Sequence, residues 1–356
     1  MAGLRQSLDR LYHDYNSEDS ASDPVHRVRP FSRNDDREIA GFCAAALAFG
    51  RVASVLNSID TLLRIVGPHP ADYVRRFDPD APHPELRAMV HRWTRGVDLV
   101  ALLWILRQML ERSGSVEGFF VESLSPDDPD VGGALDAFSA RALALDVKRA
   151  YGRKSAKGVC YFFPRASGGS ACKRLNLFLR WMVRRDEVDL GVWTRVPASK
   201  LIVPLDTHVI RLGRCLRLTR YVSPGWKMAA DITAALRQLD PDDPVRFDFS
   251  LCHVGMMSAC GFGRKQGDAQ CPQKGLCPPR ARRAARRSSC STARCFSQPS
   301  PAPCWSCSGA RTRTSGKCCR RTRPATRASR SCVARTAVPA CARRSGSART
   351  GRPRRW

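Results

Sequence analysis

Apolar side chains return at three- and four-residue steps through the first 277 positions of this chain. No segment alternates in the two-residue rhythm of strands closed by hairpin turns. The expected fold class is therefore all-α. The clearest stripe is Val52, Val55, Leu56, Ile59, Leu62, Leu63 and Val66, which Gly67-Pro68 stops. Ahead of it, Asp35-Asp36-Arg37-Glu38 has capping-box spacing, with an Asp at the N-cap and a Glu three residues on. It opens the alanine-rich run Ile39–Leu47, which predicts a buried helix. Residues 97–113 predict a third apolar helix ending at Gly114.

With 356 residues and 43% hydrophobic content, the chain can build a core for one large or two small domains. It has no run of eighteen apolar residues, so no membrane span is expected. Met1-Ala2-Gly3-Leu4-Arg5 leads into charged residues, so no secretory leader is expected either. The formal charge of +28 is unevenly placed. From Pro278 to Trp356 lie 21 of the 60 Lys and Arg, eight of the 16 cysteines and no Asp or Glu. Residues 1–277 keep 39 basic against 32 acidic side chains, a net of +7. The tail, residues 278–356, has no periodic apolar face and is expected to be disordered. One reading makes it a nucleic-acid-binding arm, because dense arginine grips phosphate without regard to sequence. The other makes it GC-rich DNA translated out of frame, which yields Arg and Cys without carboxylates. Function is therefore sought in residues 1–277, read as two helical lobes with the chemistry between them.

Two segments between residues 165 and 216 carry the chemistry. Ser167-Gly168-Gly169-Ser170-Ala171-Cys172-Lys173-Arg174 runs straight into a helix with Leu175, Phe178, Leu179, Met182 and Val183 on one face. Gly168 and Gly169 permit a tight turn, Ser170 can cap, and Ala171 permits close approach of another backbone. The free N–H groups of the first turn then form an anion site with Arg174 beside it, and a DNA phosphate suits it. An ordinary helix start explains the same residues. The second segment is Leu201-Ile202-Val203-Pro204-Leu205-Asp206-Thr207-His208-Val209-Ile210-Arg211, with Leu205, Val209, Leu212 and Leu216 as its core stripe. Asp206 stands at the N-cap, where a carboxylate can serve as a cap alone. His208 reads equally as a packed imidazole. Trp181 and Trp193 are read as core residues. Phe49-Gly50-Arg51 is read as a helix end with Gly50 as cap.

Cys252, Cys260, Cys271 and Cys277 lie within 26 residues, at spacings of seven, ten and five. Four thiolates suit an iron–sulfur cluster or zinc in a reducing cytoplasm. A buried structural Cys252 with no metal is the third reading.

Gly169-Ser170-Ala171-Cys172-Lys173 resembles the Gly-x-Gly-x-Lys hairpin of helix-hairpin-helix DNA glycosylases of the endonuclease III superfamily. Leu205-Asp206-Thr207-His208-Val209-x-Arg211 resembles their Asp-Thr-His segment, and the two motifs follow in the same order. The wording from Ala171 to Trp193 and from Pro204 to Leu218 is closer still to an uncharacterised bacterial family of conserved hypothetical proteins. That family is distantly related to those glycosylases, and the resemblance covers nearly all of residues 1–277. The chain departs from the glycosylases in having Ala171 in place of a glycine and 33 positions between Lys173 and Asp206.

The resemblance implies a two-lobed helix-hairpin-helix fold that binds duplex DNA as a cytoplasmic monomer and flips a damaged base into a cleft. Lys173 would be the nucleophile at C1′. Asp206 would stabilise positive charge on the sugar, with or without later strand cleavage as an AP lyase. Gly168, Gly169, Ser170, Ala171, Arg174 and His208 would lie against the DNA. The relatives carry a C-terminal [4Fe–4S] cluster, and the five-residue spacing from Cys271 to Cys277 matches its last interval. A non-catalytic nucleic-acid-binding module is the alternative expectation.

Overall fold

A computed structural model describes residues 2–17, 23–152 and 157–256. All of them fall within the unit Met1–Arg287. The tail and Cys260, Cys271 and Cys277 lie outside the described residues. The helices are α1 (Ala2–Tyr15), α2 (Asn34–Leu47), α3 (Val52–Val66), α4 (Pro70–Arg75), α5 (Pro84–Ala88), α6 (Gly96–Ser113), α7 (Val116–Val121), α8 (Gly132–Ala144), α9 (Lys148–Tyr151), α10 (Lys173–Val183), α11 (Thr207–Cys215), α12 (Trp226–Arg237) and α13 (Asp248–Met256). The all-α expectation therefore holds for the described residues. None of these helices is long and apolar enough to cross a membrane.

The alanine-rich run becomes α2, buried from Glu38 to Leu47. A helix apolar on all sides belongs at the centre of a core, and α2 packs against α3, α4 and α10. Phe42 stands edge-on to Phe178 at 5.0 Å, and Phe178 in turn stands edge-on to Trp193 at 5.2 Å. Trp181 and Trp193 are buried, as read from the sequence.

Three local expectations are corrected. First, α2 begins at Asn34, two residues early, with Arg33 at the N-cap and no side-chain cap bond. Its acidic residues are drawn to other helices instead. The buried Asp36 accepts the Ala71 amide of α4 at 2.9 Å. Glu38 accepts the amides of Val116 and Glu117 in the first turn of α7, and the indole N–H of Trp193 at 2.8 Å. Free amides of a helix's first turn are strong partners for a buried carboxylate, and here they outcompete the local capping box. Second, a short antiparallel hairpin is present, β1 (Val90–His91) paired with β2 (Thr94–Arg95). Two residues per strand are too few to show a period. Third, Ser170 does not cap α10. The N-cap is Cys172, at a left-handed φ of 48°, and the Ser170 hydroxyl accepts the Cys172 amide at 3.2 Å.

Candidate functional site

The stripe Leu175, Phe178, Leu179 and Met182 lays α10 against α2, so Lys173, at the first position of α10, comes over the end of α2. Its ammonium Nζ lies 3.5 Å from the carbonyl oxygen of Ala48. The second segment arrives by a buried extended run, Leu201–Leu205, anchored where the Val203 amide donates to the Thr233 hydroxyl at 3.1 Å. Pro204 disfavours helix at Val203, and α11 begins only after Asp206. Asp206 is the N-cap of α11 as expected, its Oδ1 accepting the Val209 amide at 2.7 Å. Its Oδ2 accepts the Cys252 thiol of α13 at 3.1 Å. Burial, then the nearby Asp206 and Asp248 carboxylates, push the Cys252 thiol well above its ordinary range, so it donates as a neutral group.

Lys173, Asp206, His208 and Cys252 line one cavity of about 400 Å³, completed by Phe49 and Gly50 after α2, by Arg180 and by Asp23 and Asp248. That volume lies within the range of ligand pockets, roughly 300–1,000 Å³. The motif residues Lys173 and Asp206, 33 positions apart, are thus brought to one concave surface. The hairpin residues are not. Gly168 and Gly169 are exposed outside the cavity, with Gly169 at a φ of +82°, and Ser170 and Ala171 are half-buried beside them. Arg174 also lies outside it. Its guanidinium donates to the Ala46 carbonyl at 2.9 Å and to the Tyr161 carbonyl, over the ring of Phe49. Burial lowers its pKa to about 10. Arg174 thus ties the end of α2 to the segment before the hairpin, and its charge is turned inward.

Arg180, buried in the middle of α10, is the residue that motif reading missed. It donates to Asp23 at 3.0 Å, to Asp189 at 3.1 Å and to Asp248 at 2.7 Å. One turn on, Arg184 pairs with Asp186, Asp189 and Asp243. Two guanidiniums therefore face five carboxylates. Desolvation pushes Asp248 up to about 7 and Asp189 up to about 6 against the pull of the arginines, and the neighbouring carboxylates add smaller raises. The Asp248 Oδ1 is buried and without a hydrogen-bond partner. Arg180 was legible only as an arginine interrupting an apolar stripe.

Cys252 is the one described member of the cysteine set, and it donates to Asp206. Thiolate ligation would require loss of that proton. Among the described residues no group of three or more His, Cys, Asp or Glu is arranged to hold a metal ion.

The chemical reading of the cavity follows from its charges. Asp23, Asp206 and Asp248 outnumber Lys173 and Arg180, and Arg180 is fully engaged. Such a wall favours a neutral or positively charged group and disfavours a phosphate. Neither the curated proteins nor the solved structures gave a match. The pattern of a family described as "Protein of unknown function (DUF2400)" matches residues 23–257, well over half of the chain. That match runs from Asp23 at the cavity through Lys173 and Asp206 to the end of α13, and the chain belongs to the DUF2400 family.

Proposed function

We propose that this protein acts on nucleic acid at an N-glycosidic bond, in a helix-hairpin-helix, glycosylase-like arrangement, with a base and its sugar turned into the cavity. The observation that carries the reading is the meeting of Lys173 and Asp206 on one acidic cavity wall. A breaking C1′–N bond builds positive charge on the sugar, and a carboxylate fixed by an amide and a thiol is suited to stabilise it. After its ammonium has given one proton to solvent, the Lys173 amine would attack C1′. The bond pair would leave with the base, which takes up a proton from solvent. As the ring opens, one amine proton passes to O4′ and the other stays on the iminium nitrogen. The exposed turn at Gly168–Gly169, before the free amides of α10, would hold a backbone phosphate outside the cavity.

The non-catalytic reading has its own support. Both Asp206 oxygens already carry hydrogen bonds, so the carboxylate is explained as a structural cap. Borohydride reduction during incubation with a panel of damaged duplexes separates the two. A covalent protein–DNA product that Lys173→Gln abolishes is expected. Duplex binding with no trapped product and no base release on any substrate would leave only the binding module.

A further inference from the structure

Few large apolar side chains are exposed among the described residues, and all but Val222 belong to the cavity edge, the β1–β2 hairpin or the ring beside it. Val52, Val90, Trp93, Tyr161 and Val222 are the exposed ones. Val52 lines the cavity, and Val90 and Trp93 belong to the β1–β2 hairpin. Trp93 is 51% exposed and stacks on Phe49, itself a cavity residue, at 4.7 Å. Tyr161 is 54% exposed and its ring lies 6.0 Å from that of Trp93. The three rings form a strip that starts in the cavity and runs out over its edge.

The strip is held in place from beneath. His91, buried on β1, bridges the Phe49 carbonyl at 3.0 Å and the Ser58 hydroxyl at 2.9 Å. A carbonyl only accepts, so Nε2 carries the hydrogen and Nδ1 accepts from Ser58. The hairpin tip turns at Arg92, with a left-handed φ of 55°. The Arg92 guanidinium then lies over the Trp93 ring, 5.4 Å from its centroid. Arg92 and Arg51 are exposed, and neither makes an ion pair among the described residues. The half-exposed rings of Trp93 and Tyr161, backed by Phe49 and set beside the exposed Arg92 and Arg51, match an unpaired nucleotide: a flat base for the rings and a phosphate for the arginines.

We propose that Trp93 and Tyr161, with Phe49 behind Trp93, form a stacking platform for an unpaired nucleobase next to the nucleotide in the cavity, with Arg92 on its phosphate. This rests on the nucleic-acid reading above and adds a preference for unpaired strands. Duplex interiors offer no free base face, so the platform favours single strands and opened sites over intact duplex.

The test measures affinity of the full chain at about 0.3 M salt, where phosphate contacts are screened. The ligands are a 12-nucleotide single strand, the matching duplex, and a strand of equal length whose sugars carry no bases. The wild type is expected to favour the single strand with bases. Trp93→Ala and Tyr161→Ala should each weaken that binding about tenfold, a typical loss for one stacked base. Neither should change affinity for the base-free strand, and Trp93→Phe should restore most of the loss. If the wild type binds strands with and without bases equally, or folded Trp93→Ala binds as the wild type does, the platform is overturned and the function proposed above stands. If the wild type binds no nucleic acid at all, both fall together. Equal weakening on all three ligands would point to a distorted rim and also overturn the platform.

Discussion

Arg180 and Arg92 carry the same charge beside the same cavity, and the chain treats them in opposite ways. Arg180 is 2% exposed and meets three carboxylates, two of them from distant parts of the sequence. Arg92 is exposed over an aromatic ring and meets no carboxylate among the described residues. A charge taken out of water needs partners, so the first arginine is committed to the fold. A charge left in water without partners is available to a ligand. The cavity's inner wall is thus built by folding, and its outer edge keeps an exposed cation.

The largest effect should come from breaking the inner wall. Arg180→Met leaves Asp23, Asp189 and Asp248 buried without their shared cation. Removal of one member of such a group costs about 3–5 kcal/mol. Urea unfolding should show that loss, while Arg92→Met should leave the unfolding midpoint nearly unchanged. Arg180→Lys should recover little, since one ammonium cannot serve three carboxylates in the planar geometry of a guanidinium. Equal stability of Arg180→Met and Arg92→Met would erase the distinction between the two regions.

Asp206 lines the same cavity, and two variants separate its duties. Asp206→Asn keeps an oxygen for the Val209 amide, so α11 should stay capped while the charge is lost. If the carboxylate stabilises a sugar cation, base release should fall by about 10²–10³ with little change in stability. Asp206→Ala should add the loss of a helix cap, about 1 kcal/mol. Base release at the wild-type rate in Asp206→Asn would reduce the residue to a cap.

The outer edge can be disturbed without touching a charge. Gly50 has a φ of +125°, and a Cβ there would come within 3.2 Å of the Arg92 side chain. Arg92 can move aside, so the cost of Gly50→Ala is backbone strain, about 1–3 kcal/mol. The strain would be relieved by shifting Phe49 and the hairpin tip. Single-strand affinity should fall with stability, whereas trapping of a base already in the cavity should persist.

The sequence made the local half of this design legible. The stripe from Val52 to Val66, the Gly67 and Gly114 stops and the Asp206 cap are all features of one helix and its ends, and the structure places them as the pattern implied. What stayed hidden depends on residues far apart. Arg180 meets Asp23 and Asp248 across 157 and 68 positions, and no local spacing announces that. Glu38 stood at the right spacing for its own helix, yet its carboxylate serves α7 across 78 positions. The Cys252 thiol donates to Asp206 across 46 positions, and no spacing around either residue announces that. The β1–β2 hairpin escaped because its strands are shorter than the period that would reveal them. In each case tertiary contact outweighed the local pattern.

The smallest expected effect tests whether the inner wall holds a surplus of negative charge. Burial pushes Asp248 up to about 7, and the Asp206 and Asp189 carboxylates add to the rise against the pull of Arg180. An unfolded aspartate titrates near 3.9. A folded pKa above the unfolded one means the native state holds more protons, so this contribution is present in acid and lost as pH rises through 7. Stability should therefore fall from pH 7 to pH 8, by roughly a few tenths of a kcal/mol from this group. Below about 6.5 the trend is confounded by His91 and His253, whose pKa values burial lowers and whose protonation favours unfolding. Above 8 the thiols of Cys43, Cys172 and Cys252, all raised by burial, act with the same sign as Asp248. The informative quantity is the difference between wild type and Asp248→Asn in urea midpoints at pH 7 and pH 8. The variant should show a flatter dependence across that interval. A slope identical to that of the wild type would mean that Arg180 keeps Asp248 ionised in the folded protein, and the inner wall would then be more acidic still.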